Sequence, residues 1–435
     1  MSGGEKADGI NARNTHIGLI MLQSSSPQPA LRPELSFIEF VGLIALMMSM
    51  TAFAVDIMLP GLPQIGDALG LAEANDRQLV ITLYLVGFAV GQPLFGPLSD
   101  RFGRKLPLYA GLVIFAVGSI MAAFADSAAM MFAARALQGV GAAAPRVIAI
   151  AIVRDRFAGR QMSRVMSFVI MVFIVVPVLA PAAGQAILAF ANWRWLFLVL
   201  LAASLSTIVW SWLRLSETRA EGDSLPLSAA RIGNAVRVIA TTRQTAGYAI
   251  GFGFLFGVLM SYVGSAEQIF VDVYGLGQNF PIVFGAVASA MIAASFLNAR
   301  LVGRVGMRRV SHVALLALLA VCGVMAMFGY PEKPPLIAFC LFMAAVFFCF
   351  GLIGPNFNAM AMEPVGHIAG TASSFIGFYT TAAGAAFGWL IGQSFDGTVR
   401  PLTIGFTLLA LAALVTVLIT ERGKLARPQH APPLG

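Results

Sequence analysis

Twelve apolar stretches constrain this chain more than any other feature, because each is close to the ~20 residues that cross a ~30 Å hydrocarbon layer as a helix. They run over 40–59, 78–98, 106–125, 130–153, 165–188 and 195–213, then 248–270, 281–298, 310–330, 336–356, 371–391 and 402–419. The expected fold class is therefore all-α and polytopic, twelve transmembrane helices in two six-helix halves. Composition agrees with it. Of 435 residues, 58% are hydrophobic and 11% charged, against roughly 25% charged in a soluble domain. Abundant Phe, Met and Gly suit helices that pack closely and face lipid. Cys322, Cys340 and Cys349 all fall in apolar stretches, with no metal-binding spacing, and read as small core residues.

Charge gives orientation. With both termini cytoplasmic, the cytoplasmic segments hold 22 of the 28 Lys and Arg. The opposite side holds Arg77, Arg194, Lys333 and Arg400, while Arg135 and Arg146 fall inside a span. That is the positive-inside pattern of a membrane protein, so the net charge of +8 reflects the bilayer and not nucleic acid. The organisation expected is a disordered cytoplasmic tail over 1–35, a six-helix half over 36–213, a cytoplasmic linker over 214–243, a second half over 244–420 and a tail over 421–435. Residues 17–22 are too short an apolar stretch for a secretory signal. The linker is the longest internal polar stretch, with room for an amphipathic surface helix.

A weak repeat relates the halves. Gly96-Pro97-Leu98-Ser99-Asp100-Arg101-Phe102-Gly103-Arg104-Lys105 follows the second span, and Ala299-Arg300-Leu301-Val302-Gly303-Arg304-Val305-Gly306-Met307-Arg308 follows the eighth. Duplicated halves point to a transporter with its site near the midplane. In the first copy Gly96 allows close helix approach, Gly103 permits a tight turn, and Asp100 can accept bonds from Arg101 or Arg104. The second copy has Gly303 where Asp100 stands, so a latch there would be weaker, or rest on backbone and basic groups.

Several segments resemble a known family. Residues 91–105 resemble the loop signature of the major facilitator superfamily. Arg135-Ala136-Leu137-Gln138-Gly139-Val140-Gly141 resembles the fourth-helix motif of its proton-coupled members, and Val178-Leu179-Ala180-Pro181-Ala182-Ala183-Gly184-Gln185 resembles the fifth-helix motif of its antiporters. The latter departs from the usual pattern at Ala180 and Gln185. Val55-Asp56-Ile57-Met58-Leu59-Pro60-Gly61-Leu62-Pro63, Met166-Ser167-Phe168 and Ala369-Gly370-Thr371-Ala372-Ser373-Ser374 resemble the Bcr/CflA group of drug exporters. The resemblance implies a drug:proton antiporter working by alternating access. Gly96, Asp100, Arg101, Gly103, Arg104 and Lys105 would form its gating loop, and Pro181 and Gly184 an antiporter-type kink packed against the other half.

Ionisable groups at membrane depth are costly and functional by default. Asp56 is the main proton-site candidate. Burial disfavours its charge while a nearby Arg135, expected at similar depth, would favour it; a static Asp56–Arg135 salt bridge is the plainer alternative. Arg146 lies about three turns deeper, suited to anionic or polar substrates or to pairing with a carboxylate not evident from the sequence. Glu267 could meet a cationic group or a second proton, whereas Asp272 and Glu363 read as loop residues. Phe53, Tyr84, Gln138, Tyr262, Asn356 and Tyr379 complete an expected cavity with Arg146 and Glu267, because drug-sized pockets combine apolar walls with a few polar groups.

The expected partners are the lipid bilayer and a small amphipathic drug or metabolite. The proton is the coupling ion, no other cofactor is implied, and the chain is expected to act as a monomer. A metabolite symporter of the same fold is the main alternative, and a membrane sensor or enzyme a lesser one. No phosphate loop, His-Glu-x-x-His site or Gly-x-Ser-x-Gly elbow occurs in the chain.

Overall fold

A computed structural model describes residues 35–71, 73–157, 159–219, 228–327 and 333–426. The expected tails over 1–34 and 427–435, and linker residues 220–227, lie outside them. Fourteen α-helices are described: α1 Phe37–Asp56, α2 Leu62–Leu69, α3 Leu79–Phe102, α4 Lys105–Ala123, α5 Ala128–Arg156, α6 Gly159–Leu188, α7 Arg194–Arg214, α8 Ala229–Thr241, α9 Arg243–Glu267, α10 Phe280–Val305, α11 Met307–Met327, α12 Leu336–Met362, α13 Ala369–Gln393 and α14 Arg400–Thr420. All but α2 and α8 are long and apolar enough to cross a membrane, α12 and α13 being joined through a 3-10 turn, Glu363–Ile368.

Helix starts are set locally. Ser36 caps α1 by accepting from the Glu39 N–H, and Ser127 caps α5 by accepting from the Met130 N–H. Prolines 93, 97, 145, 177, 181 and 355 sit inside helices, a pattern tolerated where neighbouring helices shield the freed carbonyls.

Packing repeats between the halves. In the first, α3 lies on α5, α4 on α5 and α7, and α1 on α6. In the second, α10 lies on α12, α11 on α12 and α14, and α9 on α13. The halves meet along α3 with α13 and α6 with α10, two contacts that the same symmetry exchanges. The paired loops share one conformation too: Gly103 has φ +86° and Gly306 φ +86°, a region that strongly favours glycine. We name the two membrane faces by the chain. The linker face carries α8 and the loops after α3 and α10; the far face carries the ends of α1 and α9.

Candidate functional site

Asp56 closes α1 on the far-face side. A 3-10 turn, Leu59–Gly61, follows it and touches both α6 and α9. The residue is only 5% exposed, and no hydrogen bond or ion pair reaches its carboxylate among the described residues. The chain just beyond the carboxylate therefore meets both halves. Beside it, Gly184 of α6 lies so close that a Cβ would come 2.1 Å from the Ile57 carbonyl oxygen. The small residues of the fifth span were expected to pack on the other half. Gly184 instead seats α6 against the end of α1, and the crossing to the other half is made at Val178, whose carbonyl faces Gly285 of α10.

Arg135 is fully buried but does not pair with Asp56. Its Nε donates to the Val80 carbonyl at 2.9 Å, one terminal nitrogen donates to the Ala54 carbonyl at 3.1 Å, and the other donates to the Gln138 side chain. The Tyr84 ring lies 4.4 Å from the guanidinium carbon. Arg135 thus grips the end of α1 through backbone, two residues short of Asp56. Equal depth was legible in the sequence, but the carbonyls it meets depend on how α1, α3 and α5 converge.

That convergence corrects other cavity expectations. Gln138 is consumed between Arg135 and Ser119, donating to the Ser119 hydroxyl at 2.7 Å. Tyr84 is enclosed by α3 and α5 and reaches the Thr51 carbonyl. Tyr262 stacks on Phe284 at 5.3 Å and meets Phe347 edge-on, inside the second half. Asn356 donates to Asn298 at 2.8 Å, tying α12 to α10. These four are packed within helix interfaces and do not line open space in this conformation. Phe53, Arg146 and Tyr379 keep partial exposure. Tyr379 is 37% exposed and lies against Gly253 of α9. Glu267 is also removed from the expected cavity, because it belongs to a seal.

The seal spans the halves at the far face. Arg77 approaches Glu267 at 3.5 Å and Asp272 at 3.1 Å. Gln78 donates to Gln268 and to the Gly392 carbonyl, and Asn75 donates to the carbonyls of Gln393 and Phe395 at 3.2 and 3.0 Å. Gln268 returns bonds to Ala74 and Asn75, and Gln393 to the Asn75 carbonyl. A π-helical turn, Gln268–Val273, extends α9 and carries Gln268 and Asp272 into this cluster, a departure common at functional positions. Glu267 is 1% exposed, and neither carboxylate oxygen accepts a hydrogen bond. Asp272, expected to be a mere loop residue, is thus an inter-half partner. The sequence signal that was available was the rarity of Arg77 on the far face.

At the linker face the gating loop folds back on its own half. Arg104 binds Asp100 and Asp155, each at 2.7 Å, and the Ser99 hydroxyl at 3.0 Å. Glu217 accepts from the backbone N–H groups of Arg104, Lys105, Thr218 and Arg219. Burial opposes its ionisation, but those four donors outweigh it and hold the carboxyl below its ordinary value. Burial likewise opposes the Arg104 charge, and Asp155 and Asp100 outweigh it. Arg101 makes no ion pair among the described residues; its guanidinium lies 5.4 Å from the Phe102 ring, and the Arg101 carbonyl takes a bond from Arg219. Gly96 faces Ser374 of α13. The second half's equivalent does use a carboxylate: Arg308 binds Glu421 at 3.0 Å, and Tyr248 donates to it at 2.6 Å. The last helix supplies the charge that Gly303 lacks. Between the halves on this face lies a cleft of about 690 Å³, bounded by Asp100, Arg104 and Arg154 on one side and residues 366–371 on the other.

Comparison with known proteins agrees with this architecture. The family profile described as "Major Facilitator Superfamily" matches residues 44–389. The "Uncharacterized MFS-type transporter YdgK" of Bacillus subtilis is 31% identical, with 90% of this chain and 97% of that protein covered. The "Bicyclomycin resistance protein homolog" of Haemophilus influenzae is 29% identical, covering 89% and 98%. Among solved structures, the xylose transporter XylE from E. coli, in a partially occluded inward open conformation, overlays with a TM-score of 0.68 at 10% identity, covering 91% and 99%.

Proposed function

Since the chain belongs to the major facilitator superfamily, we propose that it exports drugs or similar small molecules across a bacterial inner membrane in exchange for protons. The likeness to drug-resistance proteins supports the substrate class. One observation supports proton coupling above all: Asp56 is a buried carboxylate without a partner among the described residues, at a point that both halves touch. Such a group holds or releases a proton according to which face admits water. Losing the charge relaxes the end of α1, which Gly184 abuts and Arg135 holds through Ala54. Arg135 in this reading is a positioning residue, and it transmits the change into α3 and α5. The distribution of Lys and Arg supports placing the linker face in the cytoplasm. The far-face seal then makes the present conformation one closed to the outside, with the cleft at residues 366–371 facing the cytoplasm. We take the monomer as the working unit, since the two halves already enclose the seal and the cleft.

The test is a drug-susceptibility panel, bicyclomycin included, in an efflux-deficient host, followed by transport in proteoliposomes under an imposed pH gradient. Asp56→Asn is expected to keep binding and abolish uphill export. Alkalinisation of the compartment from which substrate is taken, on adding substrate, would assign symport instead. Unchanged pH-driven transport by a folded Asp56→Asn protein would remove Asp56 from the mechanism.

A further inference from the structure

Among the described residues no acidic side chain answers the charge of Arg146. It stands eleven residues beyond Arg135 on α5, three turns and about 20° further round, so both share one helix face about 16 Å apart. Arg135 on that face is buried among α1 and α3, which directs Arg146 inward and not into lipid. Arg135 has three hydrogen-bond partners, whereas one terminal nitrogen of Arg146 is shut from solvent with none. The nearest compensation is the Phe173 ring of α6, 5.0 Å from the guanidinium carbon. That contact is worth far less than a carboxylate.

The acidic groups of the surrounding elements are all engaged or distant. Glu39 at the start of α1 takes both bonds from Arg214. Asp100 and Asp155 hold Arg104. Asp56 lies near the depth of Arg135, and Glu267 is held at the far face by Arg77. None pairs with Arg146. The Ser49 hydroxyl of α1, which by helical rise lies between the depths of Arg135 and Arg146, is also buried without a partner. A lone guanidinium at membrane depth needs an anion, and none of the described residues supplies one.

We infer that Arg146 binds a negatively charged group of the transported molecule, so that the preferred substrates are amphipathic anions bearing a carboxylate or sulfonate. The planar fork of arginine suits a carboxylate held by two parallel bonds, and the Phe173 ring supplies an apolar wall beside it. This rests on the transport reading above and narrows its substrate class.

The experiment uses the full chain in lipid nanodiscs and two probes of equal shape, 2-naphthoate and 2-naphthamide, titrated by calorimetry. Naphthoate is expected to bind at least ~10-fold tighter, on the scale of one charge-assisted hydrogen bond. Arg146→Gln should remove the difference, and Arg146→Lys should keep part of it. Asp56→Asn should keep all of it, so a failure of proton coupling leaves this result standing. Equal affinities in the unaltered protein, no binding of either probe, or a preference that survives Arg146→Gln would each overturn the inference; the first two need no variant to fold.

Discussion

Removing Arg77 should unlock the far face. Among the described residues Arg77 is the only cation in the seal, and it faces one buried and one half-exposed carboxylate; the Glu267 side chain is 1% exposed and that of Asp272 is 45%. The exposed pair contributes little, about 0–1 kcal/mol. The Glu267 pair is worth more, since its carboxylate has no other partner. Together Arg77→Gln should weaken closure by about 1–2 kcal/mol, a roughly 5- to 30-fold shift of population toward an open far face. The remaining amide bonds of Asn75, Gln78, Gln268 and Gln393 limit the effect to that range. Spin labels at Asp67→Cys and Asp396→Cys, both exposed, in a background with the three native Cys replaced by Ala, would report the separation across the far face. Arg77→Gln should add a longer-distance population. Glu267→Gln should do the same more weakly, and the double variant should fall short of additivity by about 0.5–1 kcal/mol, as residues in contact do. Distances unchanged in Arg77→Gln, or strict additivity, would refute the view that this ion pair holds the halves together.

Two paired substitutions test the duplicated loop. Gly103→Ala and Gly306→Ala impose the same left-handed strain, roughly 1–2 kcal/mol, but a Cβ at 103 would also stand 2.8 Å from a Glu217 oxygen while nothing lies within 4 Å at 306. Gly103→Ala should therefore lower the thermal unfolding temperature more than Gly306→Ala; equal losses would refute the role given to Glu217. The Glu217 contribution should also depend on pH. Its folded-state value is depressed, so the stabilisation is present above the unfolded value of about 4.3 and is lost as pH falls through the folded value. The gap in unfolding temperature between the unaltered protein and Glu217→Gln should be full at pH 7 and shrink below about pH 4.

The sequence was most legible where one dimension suffices. Length of apolar run and the glycine at 103 and 306 are properties of position along the chain, and the structure places both as expected. Depth was legible for the same reason: Asp56 and Arg135 do lie near one level. Direction around a helix axis was not. Tyr84, Gln138, Tyr262 and Asn356 were expected to face a cavity, and each turned out to be enclosed by helices of its own half. For Tyr84 and Gln138 the cause lies in the small residues opposite them, Gly139 and Gly118. Gly139 brings α5 so close to α3 that a Cβ there would meet the Tyr84 carbonyl oxygen at 2.0 Å. At that separation no open space remains between the two helices. The seal was missed for a different reason. Its residues are ordinary loop amides, and only their meeting across two halves, some 190 to 320 positions apart in the chain, gives them a task.

A proton site and a gate must communicate if transport is to be coupled, and the contacts limit how. Asp56 and the seal do not touch. What joins them is the far end of α1. The Leu59–Gly61 turn bears on α9, whose own end carries Glu267, Gln268 and Asp272. The same stretch is held from behind by Gly184 and from the side by Arg135 through Ala54. A shift of this segment would reach the seal through α9, and a shift confined to α5 would not. On the proposed mechanism a bulkier residue at 184 should therefore uncouple transport more than it destabilises the fold. A Cβ there would sit 2.1 Å from the Ile57 carbonyl oxygen, so α6 and the end of α1 could no longer close on each other. Substrate binding at Arg146, about 16 Å deeper along α5, should survive that change. If Gly184→Val abolished binding and coupling alike, the two would share one site, and the relay through α1 would be unnecessary.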